Sequence, residues 1–377
     1  MIDNAFASLV PEHIRTMPRY VPGKPVEEAA REGGLDPASI VKLASNENPL
    51  GLSETVKAAV VVALDGAERY PDAHGHDLRQ AITRKLGVAP GQIVLGNGSA
   101  DLIAMTAQTF LRTETSVVIS QYAFAAYLTS ARVQGAEIVR VPAVDFGHNI
   151  AGMTAAIRPD TRLVYIDNPN NPTGTHLPPA MLKKFVAAIP RDVIVVVDEA
   201  YREYQPREDV PDTIAWIAEY PNLLILRTLS KAYALGGLRL GFGVGSTDVI
   251  DLINCVRQTF NVNLLAQVAG VAALDDEDHL ARTFAMNRAG MAQLGAGLTA
   301  LGIPWTPSAA NFVMVEVEDG PAVYRALLAK GVIVRSLRPN YDLVNHLRIS
   351  IGTEAENARL LEALAAVLAE RREPATA

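Results

Sequence analysis

Residues 223–245 read LLILRTLSKAYALGGLRLGFGVG. The opening run, Leu223 to Leu226, has the length and aliphatic content of a buried strand. A second strand-like run, Arg239 to Val244, follows a glycine pair, and Thr228, Leu229, Ser230 and Lys231 lie between the two. A fixed ammonium in an apolar interior is costly. Partial burial therefore lowers a lysine's pKa and frees an amine that attacks carbonyls, the nucleophile of Schiff-base chemistry. The hydroxyls of Thr228 and Ser230 and the guanidinium of Arg239 are groups that hold a phosphate dianion. The plainer reading makes Lys231 a surface lysine on a turn, and this stretch alone leaves both open.

Upstream, strand and helix signals alternate. Strands are expected at Gln92–Leu95, Ser116–Ser120, Ala136–Val141, Thr161–Ile166 and Val193–Val197. Helices are expected at Ser53–Leu64 (capped by Ser53), Asp77–Leu86, Ala100–Phe110, Tyr122–Gln134, Pro178–Ile189 and, briefly, Thr213–Glu219. Such alternation predicts an α/β domain with a mostly parallel sheet and helices on both faces. Ligands of these sheets bind beyond the carboxyl ends of the strands. Tyr122, Asp167–Gly174, Asp198–Tyr201 and Lys231 all follow strands there. Gly96-Asn-Gly-Ser-Ala-Asp101 turns from a strand into a helix N-terminus, where free N–H groups and the helix dipole attract an anion.

The flanks read differently. Residues 1–45, broken by Val21-Pro-Gly-Lys-Pro and Asp36-Pro37, are expected to form an extended arm with one short helix at Pro25–Glu32. The arm would pack on the smaller domain or on a partner subunit. Residues 46–260 would form the large domain and 261–377 a smaller α+β one. In the latter, helices Leu264–Leu274, His279–Leu301 and Glu354–Arg371 surround strands Phe312–Val317, Val332–Arg335 and His346–Ile351. A ligand would sit between the two domains.

Composition narrows the function. The chain has 377 residues, a net charge of −7 and one cysteine. No basic patch suits nucleic acid, and no apolar run reaches membrane-spanning length. The N-terminus lacks a secretory signal pattern, and a single Cys255 fits a reducing cytoplasm. Cys255 is expected in the core of a helix. His74 and His76 lack further ligands nearby, so no metal site is expected. Gly241-Phe-Gly-Val-Gly245 lacks the spacing and the downstream acidic residue of a dinucleotide fingerprint and is read as close strand packing.

Taken together, the strand-end residues meet the needs of pyridoxal 5'-phosphate (PLP). Lys231 would hold it as an imine. Asp198, ending a strand of five aliphatic residues, would pair with the pyridine nitrogen and keep it protonated. Asn171 and Tyr201 would bond the phenolic oxygen, and Tyr122 would stack on the ring. Backbone N–H groups of Gly98, Ser99 and Ala100 would meet the phosphate, beside Thr228, Ser230 and Arg239.

The segments Asn168-Pro-Asn-Asn-Pro-Thr-Gly174, Asp198-Glu-Ala-Tyr201 and Ser230-Lys-Ala-Tyr-Ala-Leu-Gly-Gly-Leu-Arg239 resemble the signatures of fold-type I PLP aminotransferases. Ser45-Asn-Glu-Asn-Pro-Leu-Gly51, Arg69-Tyr-Pro-Asp72 and His346-Leu-Arg-Ile-Ser-Ile-Gly352 resemble the histidinol-phosphate aminotransferase family within them. The resemblance runs from about residue 40 to about residue 365. It implies reversible amino transfer between glutamate/2-oxoglutarate and histidinol phosphate, in histidine biosynthesis. It also implies that Lys231 moves the proton at the substrate α-carbon, and that Arg348, Arg335 and Asn46 bind substrate. Tyr70 matches a tyrosine that reaches a neighbouring subunit's cofactor phosphate, which implies a homodimer with shared active sites. The sequence departs from the family pattern in Leu50, where an aromatic residue is common, and in the additional Arg338. Phe124 lies where a substrate pocket could be lined. Two rival reactions keep the same cofactor residues: transamination of aromatic amino acids, and decarboxylation as in threonine-phosphate decarboxylases. A non-catalytic regulator of this fold is a further alternative, which an acidic chain without a DNA-binding segment before residue 40 does not favour.

Overall fold

The computed structural model describes residues 6–18 and 23–372. The very start of the expected arm, the Val21-Pro22 part of its break and the end of the chain lie outside the described residues.

Strands Thr161–Asp167, Ile194–Asp198 and Leu223–Thr228 carry apolar residues at consecutive positions, so both of their faces must be covered. Val195 and Val197 join one apolar cluster, with Leu78, Phe185 and Ala266; Val196 joins another, with Leu102, Tyr127 and Ile250. Alternate residues of one strand thus feed two cores, one under each layer of helices. The sheet has seven strands, in the order Ile93–Gly96, Gly241–Gly245, Leu223–Thr228, Ile194–Asp198, Thr161–Asp167, Ser116–Ser120, Glu137–Val141. Pairs from Leu223–Thr228 to Glu137–Val141 are parallel, and Gly241–Gly245 runs antiparallel to both its neighbours. This is the expected fold-type I layout.

Gly241 shows why that strand is rich in glycine. A Cβ there would lie 2.6 Å from the Ser99 nitrogen and 2.8 Å from the Gly98 carbon. The bare backbone lets the N-terminus of helix Ser99–Phe110 press against the strand.

A second, antiparallel sheet has the order Arg335–Ser336, His346–Ser350, Phe312–Glu316, Trp305–Thr306. Leu294 and Leu298 of helix Glu277–Ala300 and Leu360 and Leu364 of helix Glu354–Arg372 complete its core. The arm ends by pairing Val41–Lys42 in parallel with Val332–Ile333. Its helix, Val26–Gly33, follows closely the short one expected.

Several boundaries differ from expectation, each for a local reason. Helix Leu264–Asp275, assigned above to the small domain, sends Ala266, Ala269 and Ala273 into the large sheet's core. Its sequence is apolar on nearly every side, so pattern alone does not say which core it joins. The expected strand Val332–Arg335 divides, with Val332–Ile333 pairing to the arm and Arg335–Ser336 to His346–Ser350. The helix expected from Tyr122 begins at Ala125. The strand after Lys231 begins at Gly241 because Arg239 has φ of +63°, a left-handed backbone that no strand accepts. Thr213–Glu219 tightens to a 3₁₀ turn at Ala215–Ala218. Helix Thr247–Val256 carries Cys255 on its exposed side, not in the core.

Candidate active site

The parallel strands all end at one edge, and their ends line a cavity of about 230 Å³. Lys231 follows Leu223–Thr228 into it. Its Nζ donates to the Ser45 carbonyl oxygen at 3.1 Å and lies 5.9 Å from the Tyr201 ring centre. Burial, with repulsion from Arg348, brings the Lys231 ammonium down to about 8. A substantial fraction of free amine at neutral pH follows, as a carbonyl nucleophile requires.

Asp198 and Asp167 occupy the floor, each 3% exposed. Asp198 accepts the Tyr127 hydroxyl at 2.9 Å and the Ala200 N–H at 3.1 Å. Burial pushes the Asp198 carboxyl up to about 6, against the pull of Tyr127. A cationic ring nitrogen beside it would restore full ionisation.

Tyr201 stands between two amides. Its hydroxyl accepts Asn46 Nδ2 at 2.9 Å and Asn171 Nδ2 at 3.1 Å. Burial pushes this phenol up to about 12, so it remains a neutral donor. Asn171 Oδ1 accepts from Arg348 Nη1 at 2.5 Å, and Arg348 Nη2 reaches the Ala44 carbonyl at 2.8 Å. Asn46 is fixed from the other side, its N–H donating to Ser350 Oγ at 2.8 Å. The guanidinium of Arg348 also lies 5.3 Å from the Phe312 ring. Arg335 lines the same cavity, and its Cα is paired with that of Arg348 across the small sheet.

The opposite wall holds anion-type donors. Helix Ser99–Phe110 starts from Gly98, whose φ of +80° suits only glycine. Its first N–H groups have no partner inside the helix. A Cβ on Gly98 would meet Arg239 Nη2 at 2.5 Å, so the missing side chain is what lets the guanidinium approach this turn. Arg239 Nη1 reaches Gly236 O at 3.0 Å and Ser230 Oγ at 3.4 Å. Thr228, Ser230, Ser99 and Ala100 line the cavity there.

Most of the residues singled out from the sequence therefore meet in one place. Three do not. Gly98 shapes the wall without lining it. Tyr122 points elsewhere: it packs with Phe146, at a centroid distance of 5.9 Å, and Phe124 lines the cavity instead. The helix starts three residues later than expected, so the aromatic position nearest the cavity shifts from 122 to 124. Tyr70 lies outside the cavity, 83% exposed, and stacks on Phe260 at 4.7 Å.

Tyr127 and Ser45 were given no role by sequence reasoning, and Asp167 was named only as the start of the strand-end stretch Asp167–Gly174. Tyr127 had one available signal: a tyrosine at core spacing in an apolar helix must find a buried partner for its hydroxyl. Among the described residues, no group of three or more His, Cys, Asp or Glu is placed to hold a metal, and no helix is long and apolar enough to cross a membrane.

The donor set fits PLP. It offers an amine for the aldehyde, for the ring nitrogen a buried carboxylate that forms no ion pair among the described residues, and a phenol–amide pair for the phenolic oxygen. A hydroxyl, guanidinium and helix-end wall remains for the phosphate.

The profile of the aminotransferase class I and II family matches residues 38–364. Histidinol-phosphate aminotransferases from Methylobacillus flagellatus and Ralstonia nicotianae are 51% and 50% identical to the chain. Each match covers 96% of this chain and, respectively, 98% and 97% of the relative. The structure is similar to that of histidinol-phosphate aminotransferase from Sinorhizobium meliloti in complex with pyridoxal-5'-phosphate, with a TM-score of 0.88, 28% identity and coverage of 97% and 98% of the two chains. A Thermus thermophilus aspartate aminotransferase variant gives 0.80 at 25% identity, covering 95% and 99%.

Proposed function

The chain belongs to the class I and II aminotransferases, and on that premise we propose that it is a PLP-dependent transaminase exchanging an amino group between glutamate and histidinol phosphate. The observation that carries the reading is the convergence of four strand ends, bringing Lys231, Asp198, Tyr201–Asn171 and the Thr228–Ser230 wall into one cavity. The substrate follows from the names of relatives that share half its residues over nearly their full lengths. Arg335 and Arg348 support it from the chain itself. They are register partners in the small sheet and both line the cavity, which offers guanidinium donors to an anionic substrate group.

When bound, PLP supplies an electron-withdrawing ring that carries the amino group and stabilises negative charge at the substrate α-carbon. The chain's own residues do the rest. Lys231 would hold the cofactor through its free amine and would take and return the proton at the substrate α-carbon. Its lowered pKa matches that double task near neutral pH. Asp198, held by Tyr127 and Ala200, keeps the ring nitrogen protonated. Tyr201 and Asn171 would bond the phenolic oxygen, and Phe124 would lie against the ring. Ser99, Ala100, Thr228, Ser230 and Arg239 bind the phosphate. Arg348 presents its guanidinium to the substrate anion in the orientation set by Asn171 and the Ala44 carbonyl, with Arg335 and Asn46 beside it.

In this reading the enzyme is a cytoplasmic homodimer. Tyr70 would reach the phosphate of the second copy, and the exposed Val61, Val62 and Leu64 would give that copy apolar surface to cover.

The test is a single half-reaction followed by cofactor absorbance. Borohydride should first fix the cofactor onto Lys231. Glutamate, histidinol phosphate and phenylalanine are then added separately. Fast conversion by glutamate and histidinol phosphate, with phenylalanine slow, is expected. Rapid conversion by phenylalanine alone would overturn the substrate assignment, and evolution of CO2 without need of a keto acid would overturn the reaction.

A further inference from the structure

The cavity floor contains a second carboxyl group that the mechanism above does not use. Strands Thr161–Asp167 and Ile194–Asp198 are parallel neighbours, and their last residues, Asp167 and Asp198, are register partners. Paired positions on adjacent strands face the same way, and both side chains line the cavity. The two acids thus lie side by side at the point where one ring nitrogen is to be held.

Their surroundings differ. Asp198 has the Tyr127 hydroxyl on one oxygen and the Ala200 N–H on the other. Asp167 Oδ2 accepts the Asn171 N–H at 2.9 Å, and the Phe124 and Asp167 N–H groups also favour its charged form. Asp167 Oδ1 is buried without a hydrogen-bond partner. The nearest basic group to it, His148 Nε2, is 3.5 Å away, and that nitrogen already lies 2.8 Å from the Asp167 main-chain carbonyl. Facing a carbonyl oxygen, Nε2 must carry the ring hydrogen, so its lone-pair nitrogen is Nδ1. Burial brings His148 down to about 4, so the ring is neutral and offers no counter-charge.

The other groups facing this floor do not balance a second anion either. Tyr127, from helix Ala125–Val133, and Tyr165, on the strand of Asp167 itself, are neutral phenols raised by burial. Arg348 keeps its charge, but its Nη groups are turned to the oxygens of Asn171 and Ala44 and it makes no ion pair with Asp167. The Lys231 amine is consumed by the cofactor, and Arg239 and Arg335 line the cavity from the phosphate wall and the small sheet, not from the floor. Two adjacent buried carboxyls with one cation between them do not both ionise.

We propose that Asp167 is a positioning residue that stays protonated beside Asp198, so that a single negative charge faces the cofactor's ring nitrogen. A second anion at the floor would stabilise positive charge on the nitrogen that links Lys231 to the cofactor. Its proton would then be harder to release when substrate enters. The neutral acid avoids this while filling the same space and keeping its bond from the Asn171 N–H. Burial first, and the neighbouring Asp198 charge in addition, hold the Asp167 carboxyl well above the ordinary range, with the Asn171 N–H pulling the other way.

The proposal rests on the PLP reading only for the partner of Asp198. Infrared difference spectroscopy of holoenzyme at pH 8, with and without ¹³C-labelled aspartate, tests it. A carboxylic-acid carbonyl band that shifts with the label is expected. It should be present at pH 8 with cofactor bound, when Asp198 is ionised against the ring nitrogen, and absent from Asp167→Asn. The absorbance midpoint of the bound cofactor should move by less than about 0.3 pH unit in Asp167→Asn, since a neutral amide replaces a neutral acid. A midpoint displaced by about a unit or more, as loss of a buried anion demands, would overturn the proposal. So would the lack of any acid band in the wild-type holoenzyme, a result that needs no variant to fold. Adding PLP to the cofactor-free protein separates the two readings: if borohydride then fixes nothing on Lys231 the PLP reading fails, whereas the acid band at pH 8, recorded before PLP is added, still reports on Asp167.

Discussion

At the floor of the cavity Asp198 and Asn171 are 3% and 6% exposed, and each is held by hydrogen bonds at 3.1 Å or less. At the phosphate wall Ala100 and Arg239 are exposed, and the guanidinium reaches Ser230 only at 3.4 Å. The ring end is therefore organised before any ligand arrives, and the phosphate end is completed by the ligand itself. The difference follows from position. The floor is made of strand ends inside the sheet, where an unpaired polar group is expensive. The wall is made of a helix start and a turn at the surface, where water satisfies the same groups until an anion displaces it.

The largest effect should come from breaking the floor. Asp198→Asn keeps the shape and removes the charge proposed to keep the ring nitrogen protonated. A fall in kcat of about 10²–10³ is expected, the range found when one preorganised electrostatic contact is removed. Single-turnover kinetics at saturating substrate check it. Cofactor absorbance at saturation should show PLP still bound, because the phosphate wall is untouched. If Asp198→Asn loses cofactor and activity together, floor and wall are not the separable parts described here.

A second test sharpens the same contrast through pH. Lys231 belongs to the buried side and its ammonium is lowered to about 8, chiefly by burial. Below that value each pH unit removes about nine-tenths of the free amine. Covalent capture of PLP by the cofactor-free protein should therefore rise about tenfold from pH 6 to pH 7, rise less steeply to pH 8 and level off above it. Stopped-flow absorbance follows the capture. A rate still climbing tenfold between pH 9 and pH 10 would mean an ordinary, solvated lysine.

The contrast also explains what could be read without a structure. Long aliphatic runs such as Leu223–Leu226 and Val193–Val197 announce buried parallel strands, and functional residues fall at their ends because sheet geometry puts them there. Lys231, Asp198 and Asn171 could be placed in the cavity for that reason, whereas Arg348 lies within an antiparallel strand of the small sheet and was picked out by the family resemblance. What escaped depends on register or on backbone detail. Asp167 gains its meaning from lying beside Asp198, a pairing between strands about thirty residues apart that no local pattern encodes. Phe124 displaces Tyr122 because a helix starts three residues late, and helix starts without a capping side chain are weakly signalled. Helix Leu264–Asp275 is apolar all round, so its sequence does not choose between two cores.

The smallest effect should come from the wall. Arg239 is exposed, sits at a left-handed φ of +63° and is positioned by Gly98, whose lack of a side chain leaves it room. Arg239→Gln removes the charge and leaves the Thr228 and Ser230 hydroxyls and the helix N–H groups in place. An exposed charge facing a phosphate contributes modestly and is screened by salt. Cofactor affinity should fall by roughly tenfold at low ionic strength, about the strength of one charge-assisted contact, with kcat at saturating PLP close to wild type. In wild type, raising salt from 0.01 to 0.15 M shortens the screening length from about 30 to about 8 Å and should erode most of that tenfold; in Arg239→Gln the affinity should respond weakly. Equilibrium titration of the cofactor-free protein at the two salt concentrations measures both. Equal salt sensitivity in the two proteins would place the phosphate-binding charge elsewhere, and a collapse of kcat in Arg239→Gln would show that the wall also sets the ring's position over Asp198.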